Sequence, residues 1–159
     1  MSYDLEVLRL PAGLSEQARA ELFERDVAAE QALPLTADDR QRLASAPQAA
    51  DPALERHEDD TGIELDSDAP QLFIEASGVT MNIPYHGLDD AGRSPLDRAF
   101  AYADVITGHG LTVWDPQAEA IVSADEDDRA AATDRFAATS DRVEQLVDPA
   151  PPRWKFWKR

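Results

Sequence analysis

The chain of 159 residues contains no cysteine. That removes disulfides, thiolate nucleophiles and cysteine-ligated zinc together, and it fits a reducing compartment. Lysine is nearly missing as well, because Lys155 and Lys158 are the only two and both fall in the last five residues. No apolar run approaches the length of a membrane-spanning helix. The opening Met1-Ser2-Tyr3-Asp4-Leu5-Glu6 carries acids where a secretory signal needs positive charge, so the expected location is the cytoplasm. No serine sits in a Gly-x-Ser-x-Gly elbow, and no glycine-rich loop resembles a phosphate cradle.

What the chain does have is acid. Thirty-two Asp and Glu face 15 Lys and Arg, for a net charge of −17. Four of those cations, Arg153, Lys155, Lys158 and Arg159, lie in a C-terminal segment without acids, which leaves the body near −21. Such a body repels nucleic-acid phosphate and anionic membrane and favours a basic protein partner. At this length and 43% hydrophobic content, one domain with one core is the default.

Apolar alternation in Tyr3 to Leu10 predicts a strand that Pro11 and Gly13 stop. Ser15 caps a helix expected to run to about Leu33, with Ala18, Leu22, Phe23, Val27 and Ala29 inward. Thr36 and Asp39 open a short second helix through about Ala46. From Pro47 to Ala69, two prolines, Gly62 and seven acids between Glu55 and Asp68 predict an irregular exposed segment, with which a short strand at Ile63 to Leu65 is compatible. Residues 71–76 and 79–85 around Ser77-Gly78 read as a hairpin, and Pro84 predicts that the second strand ends at a sheet edge. Ser94-Pro95 starts a helix with Leu96, Ala99, Phe100, Ala103 and Ile106 buried, and Gly108 marks its end. Leu111 to Trp114 and Glu119 to Val122 form a strand pair. A final helix from about Asp125 turns Ala132, Phe136, Thr139, Val143, Leu146 and Val147 inward. The predicted fold is α+β: an antiparallel sheet with helices packed on one face, ferredoxin-like with a split β-α-β, or a close relative. One domain spans 1–148, with 47–69 as its acidic irregular part, and 149–159 forms a Pro-rich spacer and basic aromatic tail.

Three features invite functional readings. The acids Glu58, Asp59, Asp60, Glu64, Asp66 and Asp68 do not match the ligand spacing of an EF-hand loop, so they read as a solvated segment whose sharper role is meeting a basic partner. The tail residues Trp154, Lys155, Phe156, Trp157 and Lys158 read either as a docking peptide or as an anchor to a membrane surface. Burying its three rings gains at most about 11–19 kcal/mol, against about 10–15 kcal/mol to order seven residues, so docking is finely balanced. The acids 125–128 stabilise a helix start. His57, His86 and His109 lack the spacing of a helical pair, which leaves a metal-dependent hydrolase as the weakest alternative.

The segments Ser2-Tyr3-Asp4-Leu5-Glu6-Val7 and Gly110-Leu111-Thr112-Val113-Trp114-Asp115-Pro116-Gln117 resemble those of a group of small, acidic, uncharacterised bacterial proteins. The resemblance covers about a tenth of the chain and implies no activity. In size and charge the chain is similar to immunity proteins of bacterial toxin systems, an analogy of class. The reading that follows is a non-enzymatic, acidic protein-binding module without a cofactor. The alternative is a docking or peripheral membrane protein that acts through the tail.

Overall fold

The computed structural model describes residues 2–66, 70–85, 94–122 and 126–147. Asp68, His86, Asp125 and the whole of 149–159, with Trp154, Lys155, Phe156, Trp157 and Lys158, lie outside the described residues, as do the side chains of Leu146 and Val147. Among the described residues the protein is α+β, with five helices and one open antiparallel sheet of seven strands.

The strand β1 (Ser2–Leu8) sits inside the sheet, between β5 (Val79–Pro84) and β6 (Thr112–Asp115). After it come α1 (Glu16–Glu24), α2 (Ala28–Gln31) and α3 (Ala37–Ala50). The chain then enters at the far edge with β2 (Glu55–Glu58) and returns strand by strand through β3 (Gly62–Asp66), β4 (Gln71–Glu75) and β5 to the side of β1. Helix α4 (Pro95–Thr107) carries it over to β6. The two-residue β7 (Ala120–Ile121) closes the other edge, and α5 (Glu126–Val147) follows. The sheet order is therefore β2-β3-β4-β5-β1-β6-β7.

Local chemistry accounts for the starts and stops. Ser15 accepts from the Ala18 amide, and capping boxes at Thr36/Asp39 and Ser94/Asp97 open α3 and α4. The long first helix expected from the apolar spacing is cut at Asp26, whose φ of 55° is left-handed. The amides of Asp26 and Val27 bond back to Phe23 and Leu22 carbonyls, a Schellman stop with Asp where Gly is usual. Pro47 does not end α3: it is buried, and the helix runs one turn further to close with the Asp51 amide on the Pro47 carbonyl. Gly108 is right-handed, and the left-handed residue after α4 is Gly110 instead.

The expectation of an irregular stretch over 47–69 does not hold for its described part, which forms the end of α3 and the hairpin β2–β3. Ile63 and Leu65 are buried and alternate with Glu64 and Asp66, so the acids are the outward half of a strand pattern. Gly62 has a steric reason: a Cβ there would lie 2.5 Å from the Ile74 carbonyl oxygen on β4. Pro84 does not mark an edge either. The strand β5 is interior, and its proline is the last residue, opposite Ser2, where a missing N–H costs the ladder little.

The main core lies under α3, α4 and α5. Leu5, Val7, Leu65, Leu72, Ile74, Met81 and Ile83 of the sheet meet Leu43, Leu96, Ile106 and Phe136 of the helices. The helices do not all share this face. Trp114 lies opposite Glu6, on the other side of the sheet from Val113 and Val7, and Phe23 of α1 stacks on it at 4.9 Å. With Leu10 and Ala28 these residues form a second small core, because β6 carries an apolar residue on each face and both need cover.

Candidate functional site

Strand alternation sends the core residues to one side, and among the described residues the outward positions of β2, β3, β4, β5 and most of β1 are exposed or half-buried, with Asp4 Oδ1 buried. The registers line its residues up in rows. One row runs His57, Glu64, Phe73, Thr80, Glu6 and ends at Trp114 under α1. Beside it lie Glu55 opposite Asp66, and Gln71, Asn82 and Asp4 along the same direction. Glu75 stands opposite Gly62 at the next level.

This face is acidic and unbalanced. Asp4, Glu6, Glu55, Glu64, Asp66 and Glu75 point outward, and no described outward position of β1 to β5 holds Lys or Arg. Phe73 lies in the middle with 37% of its surface exposed, one of the two large apolar side chains so exposed among the described residues. Glu55 directly faces Asp66, a like-charge cross-strand pair of the kind that costs stability. Gln71 donates to Asp66 at 3.0 Å and relieves part of that repulsion. At about 4.8 Å per strand, Glu6 and Glu64 stand roughly 14 Å apart across the row.

Of the six acids singled out from sequence, Asp68 lies outside the described residues, and the fold separates the other five. Glu64 and Asp66 belong to the open face. Glu58 points to the helix side, where Arg56 donates to it at 2.6 Å and Gln41 at 2.7 Å, and the arginine holds its carboxyl below the usual range. Asp59 is the turn of the β2–β3 hairpin: it accepts from the Thr61 hydroxyl and amide and from the Gly62 amide, and these bonds lower its pKa. Asp60 is exposed at the tip. Sequence reasoning missed Asp4, Glu6, Glu55 and Glu75 as members of the same surface. Their signal was the outward half of each strand's alternation.

A second concavity, a half-open groove of about 180 Å³, lies between the β6–β7 turn and α5. Phe100, Val122 and Ala132 line it, with Arg129 and Arg135 on its α5 side and Asp115 at its base. Arg129 pairs with Asp104 and covers the Phe100 ring at 5.3 Å. Asp115 is 3% exposed and fully engaged: the Tyr3 hydroxyl donates to it, and so do the Gln117 and Ala118 amides at 2.9 and 3.0 Å. Burial, then the bond to Asp115, pushes the Tyr3 hydroxyl far above its ordinary pKa. Tyr3 and Asp115 come from the two segments that carry the resemblance noted above, so those segments meet as neighbouring strands tied by one buried bond. Satisfied in this way, the pair holds the fold. Asp51 does similar work at the end of α3, where it accepts from Arg98 at 2.8 Å and from Tyr102 at 2.6 Å. Burial opposes its ionisation, yet these donors lower its pKa.

Among the described residues no three His, Cys, Asp or Glu side chains cluster in a way that would hold a metal. His57 is on the open face, His109 follows α4, and His86 lies outside the described residues. No helix among the described residues is long and apolar enough to cross a membrane. Comparisons of the chain with protein-family models, with curated proteins and with solved structures give no match.

Proposed function

We propose that the protein is a non-enzymatic binding module whose open acidic sheet face docks a basic protein partner, in the manner of an immunity-type inhibitor, in the cytoplasm. The observation that carries this reading is the row through Glu6, Phe73 and Glu64: carboxylates around one exposed ring, with no outward cation on the described strands to neutralise them. Surfaces of this kind raise encounter rates with a cationic partner and reject anionic ones, while a central aromatic supplies the anchor. The strand order β4-β5-β1-β6, with crossovers before β4 and through α4, supports reading the inner sheet as a ferredoxin-like unit. On that reading β2–β3 is an extension that widens the binding face, and β7 extends the opposite edge, where α1 packs.

The test is a pull-down with the full chain at about 0.05 M and about 0.5 M salt, where screening lengths differ severalfold. A basic partner held at low salt and released at high salt supports the proposal. A partner indifferent to salt and to Glu6→Gln/Glu64→Gln/Glu75→Gln would overturn it.

The charge pattern of 153–159 favours a second reading, a docking or peripheral membrane protein acting through Trp154, Lys155, Phe156, Trp157 and Lys158. Co-sedimentation with anionic vesicles, comparing the chain with a form carrying Ser at 154, 156 and 157, decides it. Equal partitioning removes this reading.

A further inference from the structure

We propose that the basic partner is taken as an extended segment that adds a strand alongside β2, with Lys or Arg at every second position. The backbone of that edge supplies the first argument. The strand β2 is the last of the sheet on its side, and Glu55, His57 and Glu58 are exposed on it. The Asp59 amide donates to the Gly62 carbonyl at 3.1 Å, so these two residues form a hydrogen-bonded pair. Such pairs alternate along an antiparallel ladder. The register then makes His57 with Glu64, and Glu55 with Asp66, the bonded pairs of β2 and β3. Arg56 and Glu58 therefore turn their N–H and C=O groups away from β3. Among the described residues nothing bonds to those two amides and two carbonyls. A row of open backbone groups of this kind is a template for one more strand.

The edge is open and also firmly held. Helix α3 packs mainly over β3 and β4, so β2 stands at the margin of the helix layer. Gln41 of α3 still reaches the Glu58 carboxylate at 2.7 Å, and Arg56 donates to the same group at 2.6 Å. These side-chain bonds fix β2 from the core side and leave its outer backbone groups untouched. The opposite edge differs, because β7 has only two residues and α1 packs there.

Charge selects the occupant. The outward side chains of an added strand stand about 5 Å from Glu55 and His57 and about 10 Å from Asp66 and Glu64. Opposite charges on neighbouring strands attract and like charges repel. Cations on the outward side are therefore favoured, and since side chains alternate along a strand they fall at every second position. An acidic strand is rejected. A second copy of this chain sets a net charge of −17 against another −17 and is repelled at low salt. The main chain supplies affinity and the carboxylates choose the sequence. This mode of capture rests on the reading of the acidic face as a surface for a basic protein.

The probe is the peptide Lys-Thr-Arg-Thr-Lys-Thr-Arg-Thr, added to the full ¹⁵N-labelled chain at low salt. Two controls of equal charge are N-methylated, one at the threonine amides and one at the lysine and arginine amides. Expected is hydrogen exchange at the Arg56 and Glu58 amides that slows severalfold at saturating peptide. One methylated form should abolish the effect and the other preserve it, because alternate amides of an added strand face β2. Methylated threonines block an antiparallel strand, and methylated lysines and arginines block a parallel one. Equal binding by all three peptides, or shifts at Glu6, Phe73 and Glu64 with no protection of Arg56 and Glu58, overturns strand addition and leaves the basic-partner reading standing. Absence of binding by every peptide also overturns strand addition, while the salt-dependent pull-down judges the partner reading separately. Protection of the two amides without peptide that grows with chain concentration assigns the edge to a second copy and overturns the proposal.

Discussion

Replacing Asp115 by Ala probes the joint between β1 and β6. In the native chain this carboxylate accepts from the Tyr3 hydroxyl and from two amides, at a site 3% exposed. Its removal leaves those donors without their acceptor, at about 1–3 kcal/mol for each buried group left unsatisfied. Local relaxation and water entry at the groove soften part of that, so a loss of about 3–5 kcal/mol is expected. In a chain of this size that lowers the melting temperature by roughly 6–20 °C. Tyr3→Phe keeps the ring against Tyr85 and Phe136 and removes the hydroxyl alone, at an expected cost of about 1–1.5 kcal/mol. Urea unfolding of wild type, both single variants and the double variant closes a cycle. A coupling of about 1 kcal/mol or more is expected. Additive single losses, or an Asp115→Ala loss under about 1 kcal/mol, would refute the argument that this bond ties the two strands.

Gly62→Ala puts a methyl 2.5 Å from a backbone carbonyl, so β3 must shift against β4. A loss of about 2 kcal/mol and weakened amide protection in β2–β3 are expected by hydrogen exchange. Glu55→Lys converts the like-charge pair with Asp66 into an opposite-charge one. It should gain about 0.5 kcal/mol in urea unfolding at low salt, with the gain shrinking as salt rises. Burial first, and then the bond to Asp51, pushes the Tyr102 hydroxyl up to about 12 from its ordinary 10.0. Its native pKa is thus raised, so its contribution is fully present below pH 10 and is lost as pH climbs to about 12. Stability should fall by about 2–3 kcal/mol across that window, and Tyr102→Phe should flatten the fall in denaturant titrations against pH.

The parts of this fold that were legible in the sequence are those specified locally. The hairpin β4–β5, the Ser94-Pro95 start and the inward stripe of α4 each follow from residues a few positions apart. The break at Asp26 was not legible, because Val27 and Ala29 continue the apolar spacing while an aspartate takes a conformation usually left to glycine. The hairpin β2–β3 was hidden for a different reason. A short strand at Ile63 to Leu65 was compatible with the sequence and is part of β3, but the many acids and the neighbouring Pro47 and Pro52 masked its pairing with β2. The open face was half visible. That Phe73 and Glu75 share a side follows from one strand, but that Glu6 and Glu64 flank them depends on β1 and β3 lying on either side of the β4–β5 hairpin, a pairing between distant parts of the chain.

On the proposed function, one face of the sheet, and not overall acidity, recruits a basic partner. The most direct measurement sets two variants with the same change in net charge side by side in a pull-down. One carries Glu6→Gln, Glu64→Gln and Glu75→Gln on the open face. The other carries Glu24→Gln, Glu30→Gln and Asp134→Asn, exposed positions on α1, α2 and α5. The account predicts that the first loses the partner and the second keeps it. Equal retention or equal loss in the two would contradict it.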